Sequence, residues 1–241
     1  MATDVSEGRT SATDLPVPEP AVHKPKVHIL VVSDVVCPWC WIAKRRLESA
    51  MESLREKLEF DVQFSPFLLR PKCPREGAPN PDYKKHSLRT NHLREIGDAL
   101  DLDINFSCPI LPDSVPALTL RQYVRDSDYP NVVQSQLVEK LYEAYFTKGL
   151  PLTRENLLEI ARELMLDVDQ VKSYLDEPQN ERNVIEQAES WRNQGVQAVP
   201  FFFMNGKAAC SGAQDEGDFV KTILKVAEKF PEEQMELAGD A

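Results

Sequence analysis

The sequence predicts an α/β protein in which a β-α-β unit near its start and a β-β-α unit near its end build one mixed sheet, with a large helical domain inserted between them. Three observations predict it. An apolar, β-branched run (Val27, Ile29, Leu30, Val31, Val32) leads through Cys37-Pro38-Trp39-Cys40 into an amphipathic helix. Residues 82 to about 194 then read as helical almost throughout. Strand chemistry returns in Phe201-Phe202-Phe203-Met204 and is ended by Asn205-Gly206, the strongest short signal for a hairpin turn.

The chain has 241 residues, enough to bury a substantial core as one large domain or two small ones. Its formal net charge of −11 argues against nucleic acid as a main partner. The short basic groups Lys44 to Arg46 and Lys84 to His86 read as solvated surface. No apolar run approaches the length of a membrane span. Residues 1–25 are polar, acidic and proline-bearing, the composition of a disordered tail and not of a secretory signal or an Arg-rich transit peptide. A cytoplasmic location is expected, with the dithiol as the resting form. Five cysteines cannot form a complete disulfide framework.

The first helix carries Ala43, Leu47, Ala50, Met51, Leu54 and Leu58 at spacings of three and four, with Lys44, Arg45, Glu48, Glu52 and Arg55 opposite. Pro38 suits the first helical position, where its fixed φ fits and no partner is lost. The unpaired N–H groups and the positive dipole end of this helix point at Cys37 and favour its thiolate. Cys37 is therefore expected to be an exposed nucleophile and Cys40, one turn on, the resolving thiol. Half a zinc site and two ordinary packed thiols are the other readings. A tetrahedral site needs four ligands, and no second CxxC or HxxxH pair follows, so no metal is expected.

Phe60, Val62 and Phe64 alternate against polar neighbours and predict a second strand parallel to the first, ending near Pro66. Arg70 to about Pro81 is loop by its proline and glycine content. Leu88, His92, Ile96 and Leu100 align on a first inserted helix; Leu120, Tyr123 and Val124 follow Pro116 on another; Val133, Leu137, Leu141 and Tyr145 share a face on a third. Thr153 caps a fourth with Leu157, Ile160, Ala161 and Leu164 inward. Asp167 and Gln170 have the form of a capping box for a fifth, which Pro178 ends; the last carries Val184, Ala188 and Trp191 and stops at Gly195. After the hairpin, Ser211 or Asp215 begins a closing helix with Phe219, Ile223, Val226 and Ala227 inward, and Pro231 ends it. Residues 231–241 are an acidic tail.

Val199-Pro200 stands at the entry of the hairpin. Proline is poor in a central strand, and a cis bond at the strand start would leave the Val199 backbone free to pair with an extended polypeptide or glutathione beside Cys37. The alternative is an ordinary trans proline at a strand entry.

Together SDVVCPWCWIAKRRLE and GVQAVPFFFMNGKAACSGAQ resemble the DsbA family of thioredoxin-fold oxidoreductases, and within it the FrnE-like branch. The resemblance covers roughly residues 26 to 230. It implies a discontinuous thioredoxin-like domain of residues 26–70 and 196–230, a helical insertion of residues 71–195, nucleophilic Cys37, resolving Cys40 and Pro200 as the cis-proline. The similar kappa-class glutathione transferases and 2-hydroxychromene-2-carboxylate isomerases use a serine at the Cys37 position and lack a partner at Cys40. Both cysteines here favour electron exchange.

Other candidates surround that pair. Pro38, Trp39, Val199 and Pro200 would support the site. Trp39, expected to be exposed, and Trp41, which otherwise reads as core, would form an apolar platform; Ser211 and Gln214 would hold a γ-glutamyl group at a helix start, or simply cap it. Asp34 reads equally as a proton relay to Cys40 or a loop-entry cap. His28 and His92 fall on a strand and an apolar stripe, where a structural histidine outweighs a general base. Cys73 and Cys108 read as extra thiols able to pair or as chance packed residues, and Cys210 as a small core residue. The expected activity is thiol-disulfide exchange on a disulfide-containing protein or small thiol, with no bound cofactor and glutathione or another thiol as co-substrate. A glutathione-dependent transferase or isomerase and a non-catalytic binding module are the alternatives. The sequence does not set the oligomeric state.

Overall fold

A computed structural model describes residues 24–127 and 129–230. The two tails expected at 1–25 and 231–241, and the helix stop at Pro231, lie essentially outside the described residues.

Strand β1 (Lys26–Ser33) runs into helix α1 (Pro38–Leu54), which returns to β2 (Glu59–Pro66). β1 and β2 are parallel, with Lys26 opposite Glu59 and Ser33 opposite Pro66. Far along the chain, β5 (Phe201–Met204) and β6 (Lys207–Ser211) add on antiparallel, giving the order β2-β1-β5-β6. Asn205 and Gly206 have φ of 45° and 74°, the left-handed pair that a tight hairpin turn needs. Asn205 is also a brace: its Oδ1 accepts from the His28 N–H at 2.8 Å and its Nδ2 donates to the Phe230 carbonyl at 2.7 Å.

Successive residues of β5 serve opposite faces, as strand geometry requires. Phe202 packs edge-on against Phe219 of α8 (Glu216–Lys229) at 5.0 Å, while Phe203 lies 5.1 Å from Trp191 of α7 (Pro178–Asn193). The sheet is thus covered on both sides, with α1 packed beside α8 on one of them.

The insertion also contains α2 (Leu88–Asp98), α3 (Val115–Asp126), α4 (Asn131–Tyr142), α5 (Arg154–Glu163) and α6 (Val168–Asp176). Its caps are largely those expected: the Thr153 side chain accepts from Asn156 N–H, and Asp167 accepts from Asp169 and Gln170 N–H. Pro178 does more than stop α6; it opens α7 from the first turn.

Three expectations change. Residues 99–114 are not helical. Asp101 and Phe106 take positive φ, and a two-residue strand β4 (Ile110–Leu111) pairs with β3 (Ala78–Pro79) inside the expected loop. Helix α2 faces inward through Thr90, Leu93 and Gly97, and leaves Leu88 93 % exposed. Gly97 sets that orientation, because a Cβ there would lie 2.6 Å from the Leu102 carbonyl. Finally, α4 continues as a π-helical turn over Glu143–Thr147, and the wider turn brings Tyr145 and Phe146 inward beside Tyr142 while Val133 stays half-buried.

Candidate active site

Cys37 is the N-cap of α1, with extended backbone (φ −101°, ψ 109°), and Pro38 follows in the first turn. The turn before the helix is closed by Cys37 N–H donating to the Asp34 carbonyl at 3.1 Å, and Cys40 N–H donates to the Cys37 carbonyl at 3.1 Å. Both cysteines are thiols, and their side chains are hydrogen-bonded to each other. Burial pushes the Cys40 thiol well above its ordinary value, and the neighbouring Cys37 adds to that rise.

The expected exposure of Cys37 is corrected: it is 3 % exposed. Its Sγ lies 3.7 Å from the Val199 carbonyl, so the hairpin entry covers it from the far end of the sequence. The Val199–Pro200 peptide bond is cis. Among the described residues no group pairs with the Val199 N–H. Pro200 C=O accepts from Gly212 N–H at 2.8 Å, which brings the end of β6 to the same edge.

Ser211 closes β6 opposite Phe201, and Gln214 Nε2 donates back to the Ser211 carbonyl at 2.6 Å. Asp215, and not Ser211, takes the N-cap position of α8. Ser211 and Gln214 lie at the dithiol end of the sheet.

The two tryptophans separate. Trp39 is half-buried beside the exposed His92 ring, with centroids 6.2 Å apart. Trp41 is 2 % exposed, stacks on Tyr142 and Phe146, and donates through Nε1 to Glu139 at 2.9 Å, which rules it out as a substrate platform. His92 in turn leaves the apolar stripe expected for it, for the same reason that Leu88 does. Helices α1 and α2 run in the same sense: Trp39 meets His92, and further along Arg45 Nη1 donates to the Leu100 carbonyl just beyond α2.

His28 is remote. It sits five residues before Ser33, about 16 Å along the strand, and its Nδ1 is 2.9 Å from Asp61 Oδ2 on the paired strand. Cys73 and Cys108 are both free thiols, and each reaches a different carbonyl, Cys73 that of Leu111 and Cys108 that of Ile110. Cys210 is half-buried, and burial pushes its thiol up to about 11.

Asp34 is fully buried behind the dithiol. Its Oδ1 accepts from Val36 N–H at 3.3 Å and its Oδ2 from Leu69 N–H at 2.8 Å, and Ser114 bonds the same carboxylate. Burial raises its pKa to about 6 against the pull of those donors and of Arg121. Sequence reasoning missed Ser114, Arg121 and Tyr142. Arg121 had a signal: it lies three residues beyond Leu118 and three before Val124, on the buried stripe of α3 where a cation needs a reason.

A family model described as "DSBA-like thioredoxin domain" matches residues 28–224. The uncharacterized protein YwbO of Bacillus subtilis (strain 168) is 26 % identical over 200 residues, covering 82 % of this chain and 96 % of its own. The crystal structure of a probable DsbA oxidoreductase, SCO1869 of Streptomyces coelicolor, is similar with a TM-score of 0.72 at 20 % identity, over 84 % of this chain and 91 % of that one. The cytosolic disulfide reductase DsbM of Pseudomonas aeruginosa, solved with GSH, is similar with a TM-score of 0.52 at 18 % identity, over 73 % and 84 % of the two chains. No described helix is long and apolar enough to cross a membrane.

Proposed function

The chain belongs to the DSBA-like thioredoxin domain family, and from that premise we propose that it is a thiol-disulfide oxidoreductase of the FrnE-like branch, working in the cytoplasm through the Cys37–Cys40 dithiol. The observation that carries this reading is the placement of Cys37 at the N-cap of α1, hydrogen-bonded to Cys40 one turn on and faced by the Val199 carbonyl.

The chemistry runs in two displacements. The Cys37 thiolate attacks one sulfur of a substrate disulfide, and the other sulfur leaves as a thiolate that takes a proton from solvent. Cys40 then loses its proton, attacks Cys37 Sγ and releases the second substrate sulfur. The substrate gains two electrons and the protein keeps a Cys37–Cys40 disulfide. Two glutathione thiols, or another thiol donor, reset it; the reverse sequence oxidises a dithiol substrate with the same residues. Asp34, largely ionised at neutral pH with its pKa of about 6, is the acceptor for the Cys40 proton. The unpartnered Val199 N–H suits an extended peptide or glutathione strand laid beside Cys37, with Trp39 as its apolar wall and Ser211 and Gln214 at the far edge.

A glutathione redox titration of the purified protein tests the proposal, with Trp39 and Trp41 fluorescence followed and free thiols trapped at each point. A single two-electron transition that disappears in both Cys37→Ser and Cys40→Ser is expected. Its absence between strongly reducing and strongly oxidising buffers would reject the dithiol couple.

A further inference from the structure

Arg121 is 2 % exposed, and it is the largest fully buried side chain among the described residues. Its Nη1 donates to Ser33 Oγ at 3.0 Å, itself a buried hydroxyl next to Asp34. Among the described residues its Nη2 has no hydrogen-bond partner. A buried guanidinium with an idle donor is costly unless negative charge reaches it in some state of the protein. Two groups nearby carry such charge in the proposed reaction, the Asp34 carboxylate and the Cys40 sulfur, and both interact electrostatically with Arg121.

Helix α3 makes this more than a single contact. Its N-cap residue Ser114 bonds the Asp34 carboxylate, and Arg121 follows two turns later on the same buried stripe. From α4, Tyr142 closes the opposite side, its hydroxyl 3.5 Å from the Asp34 carbonyl. Burial, together with the nearby Cys40 and Cys37, holds the Tyr142 phenol well above its ordinary value, so it adds no charge. The charged and titratable groups that act on Cys40 are thus Cys37 from its own helix, Asp34 from the β1–α1 turn, Arg121 from α3 and Tyr142 from α4. Arg121 is the one cation among them; Arg125, a turn on, repels it and bonds Asp126.

We propose that Arg121 is the positioning residue of the resolving step: its buried guanidinium holds Asp34 ionised before the step and balances the negative charge that moves to Cys40 as Cys40 attacks. The inference rests on the dithiol reading above. In the step, the Cys40 S–H proton passes to Asp34, the Cys40 sulfur forms a bond to Cys37 Sγ, and the Cys37–substrate S–S bond breaks with its electron pair leaving on the substrate sulfur. The negative charge moves from carboxylate to sulfur inside the reach of one cation and departs on the substrate thiolate; Asp34 then gives its proton to solvent, which restores the Asp34–Arg121 pair.

The test reads Cys40 site by site. In a Cys37→Ser background, the rate of Cys40 alkylation is followed against pH by peptide mass spectrometry, which separates it from Cys73, Cys108 and Cys210, with Arg121→Gln and Arg121→Lys added separately. Removing the cation raises both the Asp34 and the Cys40 pKa, so Arg121→Gln is expected to move the midpoint up by at least about one pH unit, a tenfold loss of rate near neutrality. Arg121→Lys should restore most of it. A folded Arg121→Gln protein whose profile superimposes on its parent overturns the proposal; a structural role alone would lower stability and leave the midpoint in place. Should Arg121→Gln not fold, the wild-type chain serves: the Arg121 guanidinium NMR signals are expected to differ between dithiol and disulfide forms, and identical signals overturn the proposal. If the glutathione titration of the wild type gives no two-electron transition, it is the dithiol reading that has failed; a wild-type transition with an unshifted Arg121→Gln profile is failure of the Arg121 inference alone.

Discussion

Cys37 Sγ lies 3.7 Å from the carbonyl oxygen of Val199, joining residues 162 positions apart. Neither end makes a site alone. Helix α1 supplies the sulfur and the N–H groups around it; the hairpin supplies the backbone that a substrate strand would meet. Cys37 is therefore covered in this structure, and in the proposed reaction a substrate would reach it by lying along the Val199 edge. Access, and not only thiolate content, sets its reactivity.

Cys40→Ser should convert exchange into a single capture. With the resolving thiol absent, oxidised glutathione leaves a mixed disulfide on Cys37, visible as a stoichiometric mass increase that dithiothreitol removes. Turnover should fall at least about a thousandfold. Undiminished turnover in this variant would point to glutathione-assisted chemistry that needs one thiol only.

Asp34 gives stability an unusual pH slope. Its folded-state pKa of about 6 lies above the ordinary carboxyl value of 3.8, so between those values the folded state holds more protons than the unfolded one. That contribution favours folding below about pH 4 and is lost as pH rises through about 6, a change of about 3 kcal/mol over the window. Asn does not titrate. Urea unfolding of Asp34→Asn and wild type at pH 4, 5, 6 and 7 should show the difference moving in the variant's favour as pH rises. A constant difference across that range contradicts it.

How much of this was legible depended on whether the cause was local. The β1-α1 transition, the dithiol, the Asn205-Gly206 turn and most helix caps were readable because the residues that decide them are neighbours in sequence. Phe202 and Phe203 even showed their strand, although not that one serves α8 and the other α7. What escaped had its cause elsewhere in the chain. The orientation of α2 is set by the approach of Leu102 to Gly97, and a count of apolar spacings that favoured Leu88 and His92 had no access to it. The cover over Cys37 comes from Val199, and the burial of Trp41 from α4. Arg121 was missed although its position on the apolar stripe of α3 carried a local signal.

Trp39, between the two cysteines in sequence, remains partly open, with His92 at its side. Trp39→Ala should reduce kcat/KM for a disulfide peptide with apolar flanks about tenfold, the worth of one aromatic contact. Cys37 alkylation by iodoacetamide, which has no such flank, should be little changed. Parallel losses with both reagents would mean that Trp39 shapes the thiol itself and not the substrate.

Glu139 fixes the dithiol helix to the insertion. Its carboxylate accepts from Trp41 Nε1 at 2.9 Å, Lys44 Nζ at 2.8 Å and Arg45 Nη2 at 2.8 Å, three groups on α1. Burial alone would push the Glu139 carboxyl up, but Lys44, Trp41 and Arg45 together hold it below its ordinary value. Lys44 is 7 % exposed, so losing Glu139 leaves a nearly buried ammonium with only Glu48 beside it. Breaking such an arrangement from one side costs about 3 kcal/mol. Glu139→Ala should lose that much in urea unfolding, whereas Glu139→Gln, which can still accept from Trp41, should lose less. Because the folded-state pKa is depressed, the stabilisation is present above the ordinary carboxyl range and fades as pH falls through the folded value, so the gap between Glu139→Ala and wild type should narrow toward pH 3. Trp41 should report the same break as a red-shifted emission, since its indole would lose its acceptor and gain water where α1 meets α4. A variant that loses stability with the Trp41 emission unchanged would place the cost in Lys44 alone and leave the α1–α4 seam intact.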